Sequence, residues 1–372
     1  MLKRTRQSGQ ALVAATFGLV ALIGATGLAI DIGYLRYQKR LQQSAADSAA
    51  LAGAGDIAYI LDGANVRNVA RADSALNGFP HGGQVTVTVN HPSTLTPSSL
   101  NPNSVEVLVR VAQPTFFMKI FGIGSANVTA RAVAVATGRN CVYALQTGIT
   151  GTPPTNCGVI DNQALVAQGV VPAADPLFYL TPPGGGGACL SGLVNNTTPP
   201  PATLNPVPLN PGRYCTGISI SGGRDVTLAT GATGAYVITS GGISFNGTGT
   251  VSGTGVTLYL RAAGGAVSIN TAPGSNRTVN LTAPINGARA GVLFYQNRGN
   301  ASTATINGTP GSTFQGAFYF PNAALNLSNT GSSAAYMLAV AKSLAFSGTT
   351  LFPTDYSSLA LGSPVKTAVL VE

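Results

Sequence analysis

Residues Ala11 to Ile30 form a run of twenty residues without a charge. As a helix rising 1.5 Å per residue, this run is about 30 Å long, the thickness of a bilayer core. The next stretch, residues 32–58, places Tyr34, Tyr37, Leu41, Ala45, Ser48 and Ala52 on one helical face. Arg36, Lys39, Arg40, Gln43 and Asp47 fall largely off that face. Rich in Ala and free of Pro, this stretch predicts a helix that either continues the apolar run or turns from it at Gly33, and that ends at Gly53 and Gly55. A second short helix is predicted over Ala64–Leu76, stopping at Asn77-Gly78. The period then changes from 3.6 to 2. Val85, Val87 and Val89 alternate with Thr, Val105 to Val111 alternate with Glu106, Leu108 and Arg110, and Val128 to Ala136 alternate with Thr129, Arg131, Val133 and Val135. These patterns predict three half-buried strands.

From Ile218 to about Phe352, short apolar stretches alternate with Gly, Asn, Ser and Thr. Larger strands recur at Val256, Val292, Ala317 and Met337, and the later gaps approach one turn of a β-solenoid. Asn246, Asn270, Asn307 and Asn326 suit the turns of such coils, because Asn tolerates the left-handed region. The expected fold is an N-terminal transmembrane helix continuing into a small α+β unit, followed by a mainly-β C-terminal domain. A parallel β-helix-like stack is favoured, with a β-sandwich as the alternative. Ala75, Leu76 and the aromatic residues 294, 295 and 318–320 read as core.

Charge sharpens the membrane reading. The chain carries 20 Lys and Arg against 11 Asp and Glu, net +9, and only 8% of its residues are charged. Lys3, Arg4, Arg6, Arg36, Lys39 and Arg40 face Asp31 alone, so residues 1–40 hold +5 of that excess. Because the basic groups flank the apolar run and form no stripe, nucleic acid is not expected as a partner. The positive-inside rule places the N-terminus in the cytoplasm and the bulk of the chain outside it. The alternative is a cleaved secretory signal cut near Ala25-Thr26-Gly27. Ala14, Gly18, Ala21 and Ala25 share one face of the span, smooth enough for another membrane helix to pack closely.

Cys141, Cys157, Cys189 and Cys215 all follow the span, and an even count in an oxidising compartment suggests two disulfides. Of the three pairings, sequence proximity favours Cys141–Cys157 and Cys189–Cys215, closing loops of about 15–27 residues. The spacing does not suit zinc. The surrounding segment, rich in Pro and Gly, reads as a connector, and Gly184–Gly187 lacks the Lys and helix of a phosphate loop.

No catalytic constellation emerges. His81 and His91 lie in strand-loop sequence, and past residue 140 the acids are only Asp161, Asp175, Asp225, Asp355 and Glu372. Arg224-Asp225 reads as a surface pair. No enzyme activity, metal or cofactor is expected.

Three tracts carry a family resemblance. They are Ser8-Gly9-Gln10-Ala11, the span end Gly27-Leu28-Ala29-Ile30-Asp31-Ile32-Gly33-Tyr34, and Leu41-Gln42-Gln43-Ser44-Ala45-Ala46-Asp47-Ser48-Ala49-Ala50-Leu51-Ala52-Gly53. With Pro114-Thr115-Phe116-Phe117 and Val128–Ala132, they resemble the N-terminal Tad-type domain of TadG-like proteins of the tight-adherence (Flp) pilus system. Asp31, Gln42 and Asp47 are the motif residues. Asp31 reads as a charge that sets the depth of the helix at the interface, and Asp47 as a solvated position. Prepilin-type relatives carry Glu five residues after the cleavage-site Gly, whereas here Gly9 is followed by Ala14, which argues against prepilin-peptidase processing.

What the resemblance implies is a non-enzymatic, membrane-anchored component of pilus assembly or secretion in the bacterial inner membrane. Its partners would be other pilus-assembly proteins, with homo-oligomers left open. The alternatives are an envelope or surface glycan-binding protein, or a β-helix glycan hydrolase or lyase. The expected organisation is a cytoplasmic tail 1–10, a transmembrane helix 11–30, a Tad-like unit 31–137, a Cys/Pro/Gly connector 138–215, a β-rich domain 216–358 and a C-terminal tail 359–372.

Overall fold

The computed structural model describes residues 8–60, 65–94, 103–138, 140–169, 172–198, 204–230, 235–330, 334–359 and 362–371. They divide into two units, Met1–Ala136 with Ala368–Glu372, and Thr137–Thr367.

The first unit begins with helix α1, Ser8–Ile60, unbroken across Gly33 and across the expected stop at Gly53 and Gly55. Its 53 residues rise about 80 Å. Helix α2 is Val66–Leu76. Strands β1 (Val85–Asn90), β2 (Ser104–Pro114) and β3 (Ser125–Thr137) form an antiparallel sheet, to which the C-terminal strand Thr367–Leu370 is added. The expected C-terminal tail therefore ends in a sheet strand. The register stacks Val87 on Val109 and Val89 on Val107, and then Val107 on Ala132 and Val109 on Ala130.

The buried stripe of α1 differs from the face anticipated. It consists of Gln42, Ala45, Ala46, Ala49, Ala50, Gly53, Ala54 and Ile57, whereas Tyr37 and Leu41 stay exposed. Size explains the rotation. Small residues let the helix axis approach the valine sheet closely, and the larger Tyr and Leu would hold it off. Gly53 shows this most clearly: a β-carbon there would lie 3.0 Å from Val105 Cγ1 and 3.3 Å from Val66 Cγ1. Leu76, expected in the core, is exposed at the end of α2.

In the second unit the chain coils, and strand pairs with strand one coil onward in parallel. The core is a set of apolar ladders. One runs Ile218, Ile243, Val267, Ala304, Leu325, Leu344 and Ile149, and its neighbour Ile220, Phe245, Ile269, Ile306, Leu327 and Phe346. Between them, on the opposite side of the same strands, stand Ser219, Ser244, Ser268, Thr305 and Asn326. Alternation puts the apolar set inside and the hydroxyls outside, which explains how so few charges suffice. The strands beginning at Val292, Ala317 and Met337 stack on one another, as the β-helix-like reading requires. A sandwich would need antiparallel sheets.

Residues 138–215, expected as a connector, are instead part of the second unit and pair with its strands. Asn140–Ala144 pairs with Met337–Ser347 at one end of the stack, and Cys189–Val194 pairs with Gly212–Ile220 at the other. Between them the chain runs back along the coils. Asp175 accepts a hydrogen bond from Tyr319 Oη at 2.6 Å, Leu180 O accepts one from Tyr295 Oη at 3.1 Å, and a β-carbon on Gly185 would meet Arg261 and Val237. This strap covers the outward side of the strands holding Tyr259, Tyr295 and Tyr319. That is why Ala235–Ile238, Thr257–Leu260 and Val292–Gln296 are buried on both sides and carry no polar alternation. Pro-rich, irregular sequence concealed this integration because the strap makes its contacts through single carbonyls and one carboxylate, which leave no period.

The asparagines are partly as expected. Asn270 sits at φ +49°, and Asn270 and Asn307 exchange side-chain amide bonds to each other's carbonyls at 3.0 and 3.1 Å. Asn246 accepts from Thr271 and Ala272 of the following coil. Asn326, however, lies within a strand and donates to Thr305 Oγ1. Asn329, not singled out from sequence, is also left-handed, at φ +51°.

Candidate functional site

Among the described residues, 11–23 of α1 are exposed along the whole stretch. Leu12, Val13, Phe17, Leu19, Val20, Leu22 and Ile23 are all exposed, and the helix is long and apolar enough to cross a membrane. Ala14, Gly18, Ala21 and Ala25 are exposed with the rest, and no atom lies within 4 Å of a β-carbon built on Gly18.

Burial starts at Gly27 and Asp31, one helical turn apart, and these two residues form a socket. Phe117 lies over Gly27 so closely that a β-carbon there would sit 2.6 Å from its ring. The Asp31 carboxylate is fully buried and accepts from three consecutive backbone amides: Phe116 N at 2.9 Å on Oδ1, and Phe117 N at 2.9 Å and Met118 N at 2.6 Å on Oδ2. Charge-assisted bonds of this kind are the stronger class. Asp31 is thus a clamp that fixes the β2–β3 connection onto α1.

The connection is closed at its neck by Thr115 N donating to Gly124 O at 3.2 Å and Thr115 Oγ1 donating to Ile123 O. Its tip is a 3-10 turn, Met118–Phe121, ended by Gly122 at φ +84°. Gly suits that position because a β-carbon is strained in the left-handed region.

Outward from the socket, Tyr34 packs edge-on against Phe116 with ring centres 5.3 Å apart, and its hydroxyl lies 3.3 Å from Gln113 Oε1. Gln43 Nε2 bonds both Asp47 Oδ1 and Arg131 O at 2.7 Å, so Asp47 serves to orient a glutamine that ties α1 to β3. Gln42 is fully buried against the alanine-valine core. The motif residues thus lie along one seam between α1 and the sheet.

On the polar face of that sheet stands a group the sequence did not single out. Glu106 is buried and accepts from Asn90 Nδ2 at 3.0 Å, Thr94 Oγ1 at 2.6 Å, Thr94 N at 3.1 Å and Arg131 Nε at 2.8 Å. Burial pushes its carboxyl upward, but the bonds from Thr94, Asn90 and Arg131 outweigh burial and hold it at about 2, against an ordinary 4.5. The folded state therefore binds this proton more weakly than the unfolded chain. Its contribution to stability is full above about pH 4.5 and is lost as pH falls from 4.5 toward 2. Acid titration of the full chain in detergent should show the first unit losing stability across that window. Glu106→Gln should flatten the dependence there, and an unchanged acid profile in that variant would count against the assignment.

In the second unit the two disulfides pair as proximity suggested, Cys141 with Cys157 and Cys189 with Cys215. The first secures the end formed by Asn140–Ala144, and the second ties Cys189–Val194 to the neighbouring Gly212–Ile220. Another residue missed from sequence is Arg277, fully buried, which donates to Gly222 O at 2.8 Å, Arg224 O at 2.9 Å and Asn246 O at 3.0 Å. Arg224 is itself buried and bonds Leu204 O, while Asp225 accepts from Thr250 N at 2.7 Å, so the expected surface pair is a structural device of the turns.

The remaining acids also have structural partners. Asp161 accepts from Gln163 N and Ala164 N at the start of helix α3 (Asn162–Ala167), Asp175 from Tyr319 and Leu177 N, and Asp355 from Ser357 N. Glu372 lies outside the described residues. His81 Nδ1 accepts from Val87 N at 3.0 Å, and His91 Nδ1 lies 2.9 Å from Ser104 O, so both imidazoles brace the first sheet. Among the described residues no group of three His, Cys, Asp or Glu side chains is placed to hold a metal ion. The row Tyr259, Tyr295 and Tyr319 is buried beneath the strap and offers no aromatic surface.

The seam coincides with the part of the chain that is similar to known families. The family described as Flp pilus-assembly TadE/G-like matches residues 9–56, and the one described as Tad-like Flp pilus-assembly matches residues 44–134. The second unit lies outside both matches. No curated protein and no solved structure matches the chain. The apolar helix, the Asp31 socket and the α1–sheet seam all fall within residues 9–134, the part of the chain that is similar to the TadE/G-like and Tad-like families of Flp pilus assembly.

Proposed function

We propose that the chain is a non-enzymatic, membrane-anchored component of Flp pilus assembly. Residues 11–30 cross the inner membrane with the N-terminus in the cytoplasm, and the coil stack stands on the far side for contact with other assembly proteins. The observation that carries this reading is the Gly27/Asp31 socket. It joins the exposed apolar helix directly to the folded unit within the family-matched region, which supports a retained span over a cleaved leader. Lys3, Arg4 and Arg6 ahead of the run support the orientation. Disulfides in the second unit suit an oxidising compartment. The glycan-binding alternative draws no support from the tyrosine row, which is covered.

Deletion of the gene tests the proposal, with surface pili counted by electron microscopy. Piliation should be lost or strongly reduced, and restored by the full chain supplied in trans. Normal piliation in the deletion strain would overturn it.

A further inference from the structure

The loop held by Asp31 bears an apolar surface that neither the fold nor the proposed function uses. Ile120 is 78% exposed, Phe121 69% and Phe116 56%, and Ile123 is exposed beside them. These four fall within eight residues of one closed loop, with Lys119 exposed in the same turn. Scattered apolar residues on a surface need no explanation, but a cluster fixed on a rigid support does.

The position of the loop identifies its occupant. Phe117 packs against Gly27, and Gly27 lies inside the apolar run, about 6 Å along the helix axis before Asp31. Three backbone bonds to Asp31 lock the loop at that level. If residues 11–30 cross the bilayer, the loop is held beside the outer end of the span, where hydrocarbon gives way to headgroups. Aromatic and aliphatic side chains with a neighbouring Lys are what that boundary accommodates. The apolar groups enter the acyl layer, and the ammonium reaches lipid phosphate.

We infer that the Phe116–Ile123 loop is a second membrane contact, a wedge that inserts Ile120 and Phe121 into the outer leaflet beside the anchor and sets the tilt and depth of the first unit. This inference rests on the reading of residues 11–30 as a membrane span.

The chain contains no Trp, so a single introduced Trp is a unique reporter. The full chain is placed in vesicles of phosphatidylethanolamine and phosphatidylglycerol, with or without lipids brominated at shallow or deep acyl positions. Three variants are compared: Phe121→Trp in the loop, Phe17→Trp in the span, and Leu76→Trp at the exposed end of α2. The inference expects Phe121→Trp emission to fall by roughly half with shallow bromines and less with deep ones, matching an insertion of about 5–10 Å. Phe17→Trp should be quenched as well, and Leu76→Trp should not. A Phe121→Trp signal unquenched by bromine and as open to aqueous acrylamide as Leu76→Trp would overturn the wedge, while quenching at Phe17→Trp kept the span. Protection from acrylamide without bromine quenching would mean a protein covers the loop, and would overturn it equally. Absence of quenching at Phe17→Trp would remove the span itself and the inference with it.

Discussion

Asp31→Ala should detach the β2–β3 loop from helix α1. Three consecutive amides, Phe116, Phe117 and Met118, would lose a common carboxylate acceptor in a buried site. Hydrogen bonds to a charged group contribute about 1.5–3 kcal/mol each, and the loop can recover part of that loss through water. The opening equilibrium of the loop should rise about a hundredfold. Hydrogen exchange of the full chain in detergent reads this directly: the three amides should lose about two orders of magnitude of protection. Asp31→Asn should fall between the two, because it keeps a neutral acceptor oxygen. The second unit has its own core and should keep its protection in both variants. Unchanged exchange at these amides in Asp31→Ala would mean that the carboxylate does not hold the loop.

Arg277→Met should be the most damaging single change in the coil stack. The arginine is fully buried, and its three donors satisfy carbonyls of Gly222, Arg224 and Asn246 in neighbouring coils. Met fills much of the volume but removes all three bonds, leaving Gly222 O with its bond from Thr248 N at 2.8 Å and taking the guanidinium donor from the Arg224 and Asn246 carbonyls. A buried polar group left unsatisfied costs about 1–3 kcal/mol, so the loss of these bonds together should cost about 3–5 kcal/mol. For a unit of this size the thermal midpoint should fall by about 10 °C, read by near-ultraviolet dichroism of the buried tyrosines. Arg277→Lys keeps the charge but presents a single ammonium in place of a planar fork, so it should recover only part of the loss. A midpoint within about 2 °C of wild type in Arg277→Met would show that the arginine is peripheral to the stack.

Both residues show what was legible in the sequence and what was not. Periodicity placed α2 and the strands β1 to β3, because alternating Val and Thr have one dominant reading. The stack was legible from the recurrence of short apolar stretches and from Asn at the turns, since each coil repeats one local geometry. The face of α1 was misjudged because apolar size was weighed above closeness of approach, and Ala and Gly pack a helix onto a sheet better than Tyr37 and Leu41 do. The two halves of the socket were each visible, Asp31 at the end of the run and Pro114–Phe117 in the family tract. Their contact spans 85 residues or more of sequence, and no local pattern encodes it. The strap over residues 173–188 escaped for the same reason, as did Arg277, whose partners lie 31 to 55 residues earlier. Glu106 and Arg131 left a fainter signal: they are opposite charges on the polar side of neighbouring strands, in sequence otherwise poor in charge.

We propose that this chain works in pilus assembly from within the membrane, alongside other assembly proteins. The most direct measurement is purification of the full chain from mildly solubilised membranes of cells that are building pili, after brief cross-linking in the intact cell. Other Flp pilus-assembly proteins should be recovered with the chain. A chain recovered alone from cells actively producing pili would contradict it.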